Sequence, residues 1–219
     1  RPTSLPNLML DTMINVTQTP LAMCQPSEFL HNLNKGPLTY GDIYSIVASE
    51  DTVYKVSLSG KTIKDTLEDV GNSLAFGIES AGISTKGLSY RMDLRKPDGQ
   101  KIIDLKVLGK PIEPNKNYDV AVTAGLICGS GRPDSLANVG IKENSRKTIR
   151  RALVDALYDM PNKTISPVTS GTWYVVPDYL DHWGEEPISF LVDKNVIKGY
   201  TDGSFKPNND ITRAEYTTV

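Results

Sequence analysis

The sequence predicts an α+β protein: a mixed or antiparallel sheet with hairpins and packed helices, plus a small helical appendage at the C-terminal end. Three observations predict it. Strand-period and helix-period runs follow one another without the regular alternation of βαβ units. A Pro97-Asp98-Gly99 turn separates two strand-like runs, since proline presets φ and glycine accepts positive φ. At Pro177 the chain changes character, which divides it into a body, residues 1–176, and an appendage, residues 177–219.

The elements follow in order. Apolar residues at Leu5, Leu8, Met9 and Met13 have helical spacing. The stretch from Gln18 past Pro20, Pro26 and Pro37 reads as loop-rich. Tyr54, Val56 and Leu58 alternate, which predicts a half-buried strand that stops at Ser59-Gly60. Ile63, Leu67, Val70 and Leu74 then make the apolar stripe of an amphipathic helix. Residues 90–94 and 101–107 form the two arms of a hairpin around the 97–99 turn. Gly109-Lys110-Pro111 marks a second turn, and Tyr118, Val120 and Val122 another strand. Helical spacing returns from Ser145 to Tyr158, with Ile149, Leu153 and Leu157 on one face. Arg146, Lys147, Arg150 and Arg151 lie elsewhere on it and read as a solvated basic face. Residues 173–176 read as a closing strand. In the appendage, Ile188, Leu191 and Val192 predict a helix with a buried stripe, and Thr201-Asp202-Gly203 a turn. Thr212 and Glu215 have the spacing of a capping box that opens a second helix.

With 219 residues, 39% hydrophobic and 23% charged, the chain is long enough to bury a core without covalent staples. A net charge of −2 provides no global attraction to nucleic acid or an anionic membrane. No apolar run reaches the length of a membrane span. His31 and His182 lie far apart and lack metal-site spacing. Cys24 and Cys128 are compatible with a pair in an exported protein or with two small apolar side chains. Arg1 reads as an internal position, with an export signal expected upstream.

The appendage closely resembles an S-layer homology module. The resemblance rests on Asp181-His182-Trp183, on residues 196–200 and 202–207, and on Ile211-Thr212-Arg213-Ala214-Glu215. It implies binding to a secondary cell-wall polymer and a place on the bacterial cell surface or in its wall. Arg213 is the residue expected to meet an anionic glycan group, since a guanidinium suits carboxylates geometrically. Trp183 is either sugar-facing or a core anchor of the first helix, with packing favoured. The module is single and stops as its second helix begins, so its unaided attachment is expected to be weak.

The body resembles the C-terminal domain of the 5′-nucleotidase and 2′,3′-cyclic-nucleotide phosphodiesterase family. The phrases that carry this are residues 5–11, 36–44, 53–68, 107–112 and 117–122, followed by 146–158 and Ile165-Ser166-Pro167. In that family an N-terminal metallophosphoesterase domain holds two divalent metal ions and performs hydrolysis, while the C-terminal domain grips the nucleoside. The resemblance therefore implies metals upstream of Arg1, no cofactor within these 219 residues, and a nucleotide or related phosphate ester as the whole enzyme's substrate.

Departures from the family pattern concentrate in the pocket. The substrate-facing arginine position falls on Leu30, one base-stacking phenylalanine on Ser49 and the other on Gly125. Base stacking is worth on the order of 1–3 kcal/mol per base, so purine binding is expected to be severely weakened. Asp51, Gly129 and Arg132 remain as family-aligned candidates: Asp51 as a sugar-hydroxyl acceptor, Arg132 as a substitute for the missing arginine. Gly129-Ser130-Gly131 lacks the ending of a P-loop and reads as a turn. Three functions follow as expectations: the substrate-side domain of a surface phosphate-ester hydrolase, a surface scaffold that has lost its ligand, or a glycan-binding fragment.

Overall fold

The computed structural model describes residues 4–25, 36–47, 50–76, 78, 82–129, 131–160, 173–194, 196–200 and 205–210. The expected α+β class is what is found. The elements are α1 (Ser4–Thr17), β1 (Leu21–Cys24), α2 (Tyr40–Ile46), β2 (Thr52–Ser59), α3 (Gly60–Ala75), β3 (Ser84–Lys86), β4 (Leu88–Met92) and β5 (Ile102–Val107). They continue with β6 (Lys110–Pro111), β7 (Asn117–Thr123), α4 (Ala124–Cys128), β8 (Ile141–Thr148), α5 (Ile149–Asp159), β9 (Trp173–Val175) and α6 (Glu185–Asp193). Two sheets form: one ordered β3-β1-β7-β2-β8, the other β6-β5-β4-β9.

The first sheet is covered on both faces, and its strands alternate between two cores. Leu21, Met23, Val120, Val122, Val56 and Leu58 point toward α3 and the second sheet. Ala22, Cys24, Ala121 and Val53 point toward α1, α2 and α5. β2 is thus buried on both faces at Val53 and Val56, rather than half-buried as its alternation suggests. β1 and α2 emerge from the stretch read as loop-rich. Four consecutive buried apolar residues, Leu21 to Cys24, show no alternation, which is the signature of a doubly covered strand. The short α2 is started by a capping box, in which Thr39 Oγ1 accepts from Asp42 N while Asp42 Oδ2 accepts from Thr39 N.

Other boundaries shift for local reasons. Ser145 to Thr148 belong to strand β8, and α5 begins only at Ile149, where Thr148 Oγ1 accepts the Arg151 N–H. The second turn centres on Leu108 and Gly109, both at positive φ (48° and 81°), a hairpin geometry that returns Lys110-Pro111 against β5. Ser59 caps α3 through Thr62 N, and Gly60 is required because a Cβ there would lie 2.2 Å from the Glu113 carbonyl oxygen. α3 is fastened to the β4–β5 hairpin by Glu68, only 5% exposed, whose carboxylate accepts from Lys101 N (3.0 Å) and Ile102 N (2.9 Å).

Beyond Pro177 the helix expected around Ile188 is present as α6, but none of its residues is buried and Phe190 is 61% exposed. The 201–203 turn and the second helix from Thr212 lie outside the described residues. Among the described residues no helix is long and apolar enough to cross a membrane.

Candidate functional site

Parallel neighbours β1 and β7 end on the same edge of the first sheet, and β2, antiparallel to β7, starts there. In an open sheet the crevice beyond strand carboxyl ends is the usual ligand position. Here that edge gathers Gln25 after β1, Asp51 before β2, and residues 124–129, 131 and 132 after β7. The sequence-derived candidates Asp51, Gly129 and Arg132 therefore do converge on one loop cluster.

Asp51, Gly129 and Arg132 each make a hydrogen bond to the backbone of α4. Asp51 Oδ2 accepts the Gly125 N–H at 2.7 Å, so a carboxylate from a remote segment serves the start of α4, where Thr123 makes no side-chain cap. A Cβ at position 125 would stand 2.5 Å from that same oxygen, inside contact distance. Asp51 and Gly125 are thus a matched pair: the carboxylate occupies the space where a larger side chain at 125 would begin. Gly129 donates its N–H to the Gly125 carbonyl at 2.8 Å, and a Cβ there would meet that oxygen at 2.3 Å, so this glycine closes α4 tightly. Gln25 Nε2 donates to the Gly131 carbonyl at 3.0 Å and bridges the two loops. Gln25 is not among the sequence-derived candidates, because the strand it follows has no alternation to mark it.

Arg132 donates from Nη1 to the Ile127 carbonyl at 3.3 Å, while its Nε is buried without an acceptor. It lines a cleft of about 310 Å³ against the end of α3, with Asn72, Ser73 and an 82% exposed Phe76. Leu30 and Ser49, the other departures from the aligned pocket, lie outside the described residues.

Of the four basic residues near α5, Arg146, Lys147 and Arg151 are exposed as a solvated face requires, and Arg150 departs from it. Arg146 and Lys147 sit on β8, and the Arg150 side chain is only 12% exposed. Arg150 pairs with Glu50, donates to the Val47 carbonyl at 2.9 Å and stacks 4.5 Å from the Tyr44 ring. With the Ile149 N–H on the Asp51 carbonyl (2.8 Å), it pins the strand leading into the loop cluster. Cys24 is buried and Cys128 exposed, and no disulfide joins them.

In the C-terminal segment Trp183 is 90% exposed, which overturns its reading as a core anchor. Its ring lies 5.3 Å from that of His182. His182 Nδ1 accepts the Gly184 N–H, which leaves Nε2 to donate to Asn208 Oδ1 at 3.1 Å. Lys206 Nζ lies 4.5 Å from the Tyr200 ring centre. Trp183 at 90% and Tyr200 at 41% exposure leave aromatic surface open to solvent in this segment. Arg213 lies outside the described residues. Among the described residues no group of three or more His, Cys, Asp or Glu side chains is arranged to hold a metal ion.

Comparison with known proteins gives two adjacent matches: the model of the 5′-nucleotidase C-terminal domain over residues 1–136, and that of the S-layer homology domain over residues 177–217. Sheet pairing continues past residue 136, through β8 on β2 and β9 on β4. The trifunctional nucleotide phosphoesterase protein YfkN of Bacillus subtilis is 25% identical over 178 residues, 69% of this chain and 12% of that protein. The S-layer protein sap of Bacillus anthracis is 38% identical over 80 residues, 36% of this chain and 9% of that protein. The crystal structure of a 5′-nucleotidase precursor from Thermus thermophilus superposes with a TM-score of 0.70 at 23% identity, covering 79% of this chain and 35% of that one. The chain thus spans about a third of a solved nucleotidase and a smaller share of these curated relatives.

Proposed function

Because the chain belongs to the 5′-nucleotidase C-terminal domain family and carries an S-layer homology module of cell-surface proteins, we propose that it is the substrate-side domain of a wall-attached phosphate-ester hydrolase with an altered nucleoside pocket. What supports the hydrolase half is the nucleotide phosphoesterase among its relatives. What supports the altered pocket is the Asp51–Gly125 pair, which directs inward the groups that the aligned position would present to a ligand.

On this reading Asp51 and Gly129 shape the loops rather than touch substrate. Arg132 is the one aligned candidate with donor capacity left over. On this reading the two divalent ions of such an enzyme are held by a part of the protein outside these 219 residues. Wall attachment is assigned to the exposed Trp183 with Arg213, the first by stacking and the second by pairing with an anionic group of the polymer.

A second reading has a specific observation in its favour. A loop cluster in which Asp51 and Gly129 are bonded to the α4 backbone suits a surface scaffold that has given up its ligand. Phosphate release by the full-length protein, taken from the cell wall and offered AMP, 2′,3′-cyclic AMP and simple phosphate monoesters, separates the two. The hydrolase reading expects turnover of at least one ester, abolished by a chelator and restored by divalent metal. Absence of turnover on all of them, with metal supplied, would leave the scaffold.

A further inference from the structure

One hydrogen bond crosses from the body to the wall-binding segment, and two features of the body place it. First, β9 pairs parallel with β4, with Tyr90 opposite Trp173 and Met92 opposite Val175. The pairing runs one bond further, from Val176 N to the Met92 carbonyl at 2.7 Å. Second, Asp93 directly follows β4, with its side chain only 7% exposed, and takes the Arg95 guanidinium two-pronged: Nε on Oδ1 and Nη2 on Oδ2, both at 2.8 Å. The remaining Arg95 Nη1 then donates to the Leu180 carbonyl at 2.9 Å, across 85 residues of chain.

The far side of this contact is itself part of the wall-binding segment. Two residues before Leu180, Asp178 accepts the N–H groups of Phe205 (2.8 Å) and Lys206 (2.6 Å), and the Tyr179 ring stands edge-on to Phe205 at 5.5 Å. Leu180 therefore reports the position of the loop around 205–206 as well as its own. Arg95 is surrounded by opposite charge from both sides: Asp93 of the body, then Asp181 and Asp178 of the segment. Its hydrogen bonds hold the Asp93 carboxyl below the ordinary carboxylate range, so the pair stays charged. A buried carboxylate that takes both prongs of one arginine fixes that arginine's orientation, and so aims its third donor.

We propose that Asp93 and Arg95 form a fixed joint that seats the wall-binding module on the body's second sheet, so that module and body move as one rigid piece. A module hung on a free tether would let the body swivel at the wall. With the joint closed, the angle at which Trp183 meets a polymer sets the direction in which the body's loop cluster faces. The joint is independent of whether the loop cluster holds a substrate.

Backbone nitrogen-15 relaxation on the 219-residue chain tests this. The proposal expects amides of α6 and amides of β2 and β7 to share one rotational correlation time. Arg95→Ala should give the α6 amides a shorter correlation time while the β2 and β7 amides keep theirs, and Asp93→Asn should do so in part. Lys96→Ala, beside the joint but outside its hydrogen bonds, should leave the shared value intact. Separate correlation times in the unmodified chain would overturn the proposal, as would a folded Arg95→Ala chain that still tumbles as one piece. Should Arg95→Ala fail to fold, the unmodified chain decides alone.

Discussion

Replacing Gly125 with phenylalanine, the residue type that the resemblance assigns to this position, is expected to destabilise the domain by about 1–3 kcal/mol instead of rebuilding an aromatic clamp. The cause is the Asp51 carboxylate, whose Oδ2 lies 2.7 Å from the Gly125 nitrogen and would lie 2.5 Å from any Cβ at that position. The side chain can enter only if the carboxylate leaves, and its departure strips the start of α4 of an acceptor. The two positions should therefore be energetically coupled. Asp51→Gly combined with Gly125→Phe should cost less than the sum of the two single changes, because deleting the carboxylate clears the space. Chemical denaturation of the four chains measures this. A Gly125→Phe chain as stable as the parent, or strictly additive costs, would show that the two residues do not compete for one volume.

A second large effect is expected at Glu68, remote from the loop cluster. Its buried carboxylate serves two backbone N–H groups, those of Lys101 and Ile102, where the hairpin returns into β5. An unsatisfied buried donor costs about 1–3 kcal/mol. Glu68→Ala orphans two of them, offset in part by removing a buried charge, so a loss of about 2–4 kcal/mol follows. Glu68→Gln keeps one acceptor oxygen and should lose clearly less. Thermal and denaturant unfolding distinguish the two variants; equal losses would mean that packing of the side chain, not its hydrogen bonds, matters. The hairpin also carries Asp93 and Arg95, so its anchorage bears on the seat of the wall-binding segment.

The physical origin of each element explains what could be read ahead of the structure. α3 was legible because one face meets a core and the other meets water, which writes a 3.6-residue stripe at Ile63, Leu67 and Val70. The β4–β5 hairpin was legible through its turn chemistry, with Gly99 at φ +78°. β1 was not, because a strand covered on both sides has no polar phase to alternate with. β8 was not, for the opposite reason: it lies on a sheet edge, almost wholly exposed, and its residues Lys142 to Thr148 carry no apolar period at all. The helical spacing of α5 then extended backward over it.

At the loop cluster the resemblance named residues that share one sheet edge, but not their partners. Asp51 was a candidate acceptor for a sugar hydroxyl, yet the Gly125 N–H, 74 residues away, donates to it. Such a pairing depends on which strand ends meet on one sheet edge, a property of topology rather than of local pattern. Arg150 shows the same thing, since only the packing of α5 on α2 brings Tyr44 and the Val47 carbonyl to it. Trp183 erred in the other direction. An aromatic at the start of a helix reads as an anchor, and here the ring is open to solvent.

Asp51 and Gly129, which the resemblance aligns with a nucleoside pocket, are engaged with the chain's own backbone. Isothermal titration calorimetry of the 219-residue chain with millimolar AMP addresses the consequence most directly. Heats no different from dilution are expected, because the two positions that the resemblance assigns to stacking aromatics hold Ser49 and Gly125, and Asp51 is bonded to the Gly125 N–H. A saturable isotherm would contradict this expectation.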